Sequence, residues 1–293
     1  MYGDPVRPVW PGGGGHSFYS GSGCPAIGAA GGGVANVTVA GTLRVDGLIA
    51  ANGGGGRIGI CVAGDMGGGG GAGGSLLLEA GRLEGAGRIT ARGGSGGDGL
   101  NRDGGGGGGG RIAIHAQAVV LEPGQLSTRG GGSPAGADRR GGPGTAVIVT
   151  PESPHGDLLV DGEDVAGQAT PLLDVGAGTV DEVFADGVGV IRVSFSTPGG
   201  QSLLAARKVR FGASADSPAF TILSHTASVL VLDADGQDLT GVLAPGQDFR
   251  GLYIFDDVTV SGGATVTVQD ILRVTGTLTT TGGTLTAPRL EQP

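Results

Sequence analysis

Short runs of alternating apolar and polar or small residues recur along this chain. Val37-Thr38-Val39, Leu43-Arg44-Val45, Ile112-Ala113-Ile114 and Val147-Ile148-Val149 are examples from the first half. Gly189-Val190-Ile191-Arg192-Val193-Ser194-Phe195, Ser228-Val229-Leu230-Val231-Leu232 and the stretch 257–268 continue the pattern in the second. Alternation over four to eight residues predicts strands with one face inward. No stretch combines a helical period with caps, so the chain is expected to be all-β.

Glycine separates these runs in a way that repeats. Gly53 to Gly56 lead into Arg57-Ile58-Gly59-Ile60, and Gly104 to Gly110 lead into Arg111-Ile112-Ala113-Ile114. Gly67 to Gly74, broken only by Ala72, lead into Ser75-Leu76-Leu77-Leu78. Glycine is costly to order. A glycine tract that repeatedly precedes a strand therefore predicts ordered backbones packed where side chains would not fit.

The repetition has a measurable period. The segment from Val45 through Ala51-Asn52-Gly53-Gly54 aligns with Gly85 through Ala91-Arg92-Gly93-Gly94 at an offset of 40. The second copy aligns with Gly124 through Thr128-Arg129-Gly130-Gly131 at an offset of 37. A period near this length, built from short strands and turns, predicts a β-solenoid (parallel β-helix) with glycine-rich turns. Propeller blades are disfavoured because their aromatic signals are missing. Bundled polyglycine helices are the alternative for the tracts. The expected organisation is an N-terminal capping segment over 1–33 and glycine-rich solenoid repeats over 34–171. A β-rich insertion or second β domain follows over 172–245, with further solenoid coils over 246–293.

Composition sharpens the division. Of 68 glycines in 293 residues, 49 precede residue 151 and 19 follow it, so the two halves are different materials. The apolar fraction of 38% can supply a core, which argues against disorder. A net charge of −9 gives no general attraction to nucleic acid or anionic membrane, and no apolar stretch is long enough to insert in a bilayer. Met1-Tyr2-Gly3-Asp4-Pro5 carries no visible leader. The expectation is a segment of a longer extracellular protein.

Several strings resemble the glycine-rich repeat regions of large bacterial secreted and cell-surface, adhesin-like proteins. They are AGTLRVDGLIAANGG, GAGGSLLLEAGRLEGAGRITARGG, GGGGGGGRIAI, GGPGTAVIV, GDLLVDG and GLYIFDDVTVSGGATVTV. The resemblance implies an extracellular parallel β-helix serving as a stalk, adhesin or matrix component. It carries over no catalytic residues. Cys61, within Gly59 to Met66, departs from the pattern.

Candidate chemistry is sparse. Gly93 to Asn101 fits a calcium-binding nonapeptide, which makes Asp98 and Asp103 candidate Ca²⁺ ligands. Such sites need tandem copies, and a glycine turn explains a single copy equally well. Gly93-Gly94-Ser95-Gly96-Gly97 matches a nucleophile elbow, but no helix or histidine partner follows. His16, His115, His155 and His225 have no metal-ligand spacing.

Asp181-Glu182, Asp233 with Asp235, and Asp256-Asp257 are the acid pairs a polysaccharide-cleaving enzyme would need, although Asp235-Gly236 also reads as a turn. Tyr2, Trp10, Phe18 and Tyr19 cluster near the N-terminus as a cap or as a ligand or subunit contact. Cys24 and Cys61, 37 residues apart, form a candidate disulfide if one repeat is one coil and cannot join if it is two.

The function expected is non-enzymatic: an extracellular structural or adhesive protein. Its partners would be other copies of itself or cell-surface polysaccharide, with no cofactor. A carbohydrate-binding module and a polysaccharide-cleaving enzyme are the alternatives.

Overall fold

A computed structural model describes residues 4–20, 24–60, 65–122, 124–184, 189–196 and 204–293. The chain is all-β, with two three-residue 3-10 turns among the described residues, at Ala137–Arg139 and Leu239–Gly241. It is not a parallel β-solenoid. It contains a closed six-stranded antiparallel barrel and mixed sheets in which parallel strands are joined by glycine tracts that alternate in direction. Two compact units result. The first comprises Met1–Thr170, Phe255–Thr267 and Gly276–Thr286; the second comprises Pro171–Ile254, Val268–Thr275 and Ala287–Pro293.

In the first unit, Val34–Arg44, Ser75–Glu84, Arg111–Val120 and Thr145–Val149 lie side by side in parallel. Asp157–Asp161 then pairs antiparallel with Thr145–Val149 and parallel with Val258–Ser261. Leu278–Thr281 completes the seven-stranded sheet. The central strands begin with apolar runs, Leu76–Leu78 and Ile112–Ile114, where both of their faces are buried.

A second, three-stranded parallel sheet of Leu48–Ala50, Arg88–Thr90 and Leu126–Ser127 covers one face. Leu76, Leu78, Ile112, Ile114 and Ala146 from the large sheet pack with Ala51, Ile89 and Ala91 in one core. Ile49 pairs with Ile89, and Ile89 with Leu126, so the offsets of 40 and 37 are cross-strand registers.

The glycine tracts explain why this is not a coil. Along Gly67–Gly74 the amides donate in a cycle of three. Gly67, Gly70 and Gly73 donate to the carbonyls of Arg102, Gly105 and Gly108, so those two segments run parallel. Gly68, Gly71 and Gly74 donate to Arg57, Gly54 and Ala51, in descending order, so that neighbour runs antiparallel. Gly69 and Ala72 donate to His16 and Gly13, again antiparallel. Three residues per turn with all hydrogen bonds made to neighbours is the geometry of an extended three-fold helix. A solenoid of successive parallel coils has no antiparallel returns of this kind.

The second unit is built by side chains. Ala177–Val183, Val190–Phe195, Val229–Leu232, Ala219–His225, Lys208–Phe211 and Asp248–Phe255 pair antiparallel in that order. The last strand returns to the first, Phe249 opposite Gly178, and closes the barrel. Closure removes the exposed edges of the sheet. Alternation sends Ile191, Val193, Val209, Phe211, Ile222, Leu230, Leu232 and Phe249 inward. The Phe249 ring centroid lies 5.4 Å from that of Phe195 and 5.9 Å from that of Phe211. Ile271–Val274 extends the barrel sheet beyond its last strand, and Arg289–Glu291 pairs parallel with it.

Candidate functional site

Two features stand out, one in each unit. In the first, Pro11–His16, Gly69, Gly70, Ala72, Gly73 and Gly105–Gly109 line a groove of about 400 Å³. Its walls are backbone. The amides of Gly105 and Gly108 have no hydrogen-bond partner among the described residues, although the Gly105 and Gly108 carbonyls accept from Gly70 and Gly73. Buried Arg111 forms one end, donating to the Trp10 carbonyl at 3.1 Å and to Ser75 Oγ at 3.1 Å. The groove presents mainly peptide groups, with His16 and Arg111 among its lining residues.

In the second unit, alternation on Lys208–Phe211 turns Val209 and Phe211 into the barrel and Arg210 out of it. Arg210 is nevertheless only 1% exposed. Its Nη1 donates to both Glu291 oxygens, at 2.7 and 2.8 Å. Glu291 also receives Arg273 Nε at 3.0 Å and lies 2.8 Å from Arg289 Nε. Burial alone would raise the Glu291 carboxyl, but the Arg210 and Arg273 hydrogen bonds outweigh it and hold it below the ordinary range. Arg210 Nε and Nη2 are buried with no partner among the described residues. A cavity of about 470 Å³ is lined by Arg210, Arg250, Arg289 and Asp248, with Phe249, Ile271, Ser196 and small residues.

A buried polar cluster lies in the same unit. Asp270 is 1% exposed and accepts the Val175 and Gly176 amides at 2.7 and 3.3 Å. Burial raises its carboxyl to about 6, against the opposing effects of those two amides and of Arg207. The Arg207 guanidinium stacks 4.1 Å from the Tyr253 ring centroid and donates to Tyr253 Oη and the Leu173 carbonyl.

The residues singled out in the sequence fall elsewhere. Asp98 is exposed, and Asp103 Oδ1 accepts the Gly99 amide at 3.1 Å. Among the described residues no group of three His, Cys, Asp or Glu is placed to hold a metal. Trp10 is 46% exposed. Phe18 lies under the Arg102 guanidinium at 5.2 Å. Tyr2, the Tyr19 side chain, the Cys24 side chain and Cys61 lie outside the described residues, and so does the Cys24–Cys61 pairing.

The acid pairs are used locally. Asp233 Oδ1 accepts the Asp235 amide at 3.3 Å in a turn with positive φ at Asp235 and Gly236. Asp181 accepts from Ser194, and Glu182 pairs with Arg192. Asp256 accepts the His155 amide, and Asp257 the Thr277 amide. Sequence reasoning passed over Arg210 and Asp270. The signal for Arg210 was a charged residue between two inward apolar ones in a strand whose outer face is covered from elsewhere in the chain.

No family model, curated protein or solved structure matches this chain.

Proposed function

We propose that this chain is a non-enzymatic extracellular structural or adhesive element, a spacer or matrix component. The observation that carries the reading is the three-fold hydrogen-bonding cycle of the glycine tracts. Segments bonded to neighbours on several sides make a stiff block from the smallest residues, and such a block offers little side-chain chemistry for catalysis. The acid pairs are engaged locally, with backbone amides, with Ser194 and with Arg192, which favours a structural use for them. The strings resembling secreted repeat regions favour an extracellular setting. The open glycine groove gives the block a face for another copy of itself or for a polysaccharide.

The reading is tested by incubating the purified chain with a panel of cell-surface polysaccharides and following both retention and chain scission. Retention or inertness without new reducing or unsaturated ends is expected. Time-dependent release of oligosaccharides that tracks the purified chain would overturn it.

A further inference from the structure

The barrel carries an arrangement the structural reading does not use. Arg210 and Arg250 are directly opposite in the antiparallel pair formed by Lys208–Phe211 and Asp248–Phe255. Like charges so placed repel, and a sheet normally avoids them. Arg289 lines the same cavity, so three guanidinium groups and one carboxylate, Asp248, face it, in a chain of net charge −9. Glu291 pairs with two of the three, Arg210 and Arg289, as well as with Arg273, and Arg289 also donates to the Ala213 carbonyl, which leaves cationic groups in excess. Glu291 answers only one edge of Arg210. The Nε–Nη2 edge, two donors in a fixed plane, is buried and unpartnered. An unsatisfied buried donor is expensive, and a charged one more so. Arg250 is exposed and has no side-chain partner among the described residues.

We propose that this cavity is an oxyanion site. It takes a carboxylate, sulfate or phosphate group, free or carried on an acidic polymer. Guanidinium groups suit this ligand because their donors match the spacing of two oxygens on one centre. Arg250 and Arg289 hold the group at the cavity wall. Arg210 adds its charge from behind. The Glu291 tether keeps Arg210 in place, and Asp248 disfavours a second anion. The volume of about 470 Å³ exceeds what one oxyanion fills, which leaves room for the residue that carries it. The proposal is independent of the role given to the glycine bundle.

The test is calorimetric titration of the whole chain with sodium sulfate, sodium phosphate and sodium acetate at ionic strength matched with sodium chloride. Polygalacturonate, with its methyl ester as control, reads whether a polymer-borne carboxylate is preferred to the free ion. Saturable binding of at least one of these probes is expected. Arg250→Ala and Arg289→Ala, both exposed enough to leave the barrel intact by circular dichroism, should each weaken it about tenfold, the equivalent of one charge-assisted bond. Arg57→Ala, an exposed arginine of the first unit, should leave it unchanged. Absence of saturable binding by every probe overturns the proposal. Binding that survives in both cavity variants, or falls equally in Arg57→Ala, overturns it as well.

Discussion

In the barrel, contact between neighbouring segments is made by large side chains; in the glycine bundle it is made by the peptide groups themselves. Phe195, Phe211 and Phe249 illustrate the first, meeting edge-on or tilted at the centre of the unit. Gly71 illustrates the second. Its amide donates to Gly54, its carbonyl accepts from Gly94, and a Cβ on it would overlap the Ala30 carbonyl. A side-chain core tolerates a lost methylene by leaving a cavity and relaxing partly. Backbone packed on backbone has no rotamer to change. Glycine also loses the most conformational freedom on folding. The bundle offsets that loss with dense interchain-like hydrogen bonds, each contributing about 0.5–1.5 kcal/mol net. The two units should therefore fail in different ways when perturbed.

The sharpest break is expected at Gly107. Its amide donates to Gly94 at 2.8 Å, and a Cβ there would overlap the Gly71 carbonyl and lie 2.8 Å from the Ala72 nitrogen. Neither neighbour is a flexible side chain. Gly107→Ala should cost more than about 4 kcal/mol, in the range reserved for gross steric conflict. Hydrogen exchange read by mass spectrometry should show protection lost across 67–74 and 104–110 and retained in the barrel strands. A variant that keeps its protection in both tracts would remove the backbone-packing account.

The barrel counterpart is Phe249→Ala. Phe249 is buried between two other rings, and truncation of such a side chain costs about 3–5 kcal/mol. Denaturant unfolding should show a lower midpoint with protection lost first in the barrel strands. A loss below about 1 kcal/mol, the scale of a surface change, would mean the barrel is not held by this core.

These two positions also show what was legible in the chain. The registers Ile49–Ile89–Leu126 were readable because each copy keeps an apolar residue at the paired position. The coil was not, because a repeat offset fixes which strands are neighbours and says nothing of the path between them. The three-residue cycle of the tracts is hidden for a physical reason. Within Gly104–Gly110, a Cβ at 104, 107 or 110 meets the carbonyls of 68, 71 or 74, and one at 106 or 109 meets those of 131 or 128. At Gly105 the nearest atom is 3.4 Å away, yet glycine stands there too. Two positions in three demand glycine, the third permits it, and a run of seven erases the pattern. Arg210 was illegible because its partner Glu291 stands 81 residues later, and Asp270 because the amides it accepts, those of Val175 and Gly176, stand 95 and 94 residues before it.

A smaller effect separates the units by pH. Asp270 moves from 3.8 to about 6 on folding, chiefly through burial. The folded state therefore binds the extra proton between those values. The stability this contributes is complete below 3.8 and is lost as pH rises through 6, roughly 3 kcal/mol for a shift of about two units. Glu291 has the opposite sign: held below its ordinary 4.5, it contributes above that value and loses the contribution as pH falls further. From pH 4.5 to 7 the Asp270 effect should dominate the difference between wild type and Asp270→Asn. Urea midpoints across this interval should fall with pH in the wild type relative to the variant. Parallel profiles would show that Asp270 is not desolvated in the folded barrel.

The least disruptive change tests the bundle most finely. Gly13 sits in the same tract as Gly12, one residue away. A Cβ on Gly12 would overlap the Ala72 carbonyl, whereas one on Gly13 meets nothing within 4 Å. Among the described residues the one backbone bond of Gly13 is accepted by its carbonyl, from Ala72 at 2.9 Å, and alanine keeps that group. The Gly13 φ lies outside the left-handed region, so an L side chain is not strained there. Alanine also narrows the unfolded ensemble, which stabilises by about 0.4–1 kcal/mol where the native backbone is compatible. Gly13→Ala should therefore raise the unfolding midpoint slightly, while Gly12→Ala lowers it steeply. The opposite signs at adjacent glycines are the signature of a three-fold helix with one open face. If both variants destabilise to a similar degree, glycine is required along the tract for some reason other than its neighbours' carbonyls.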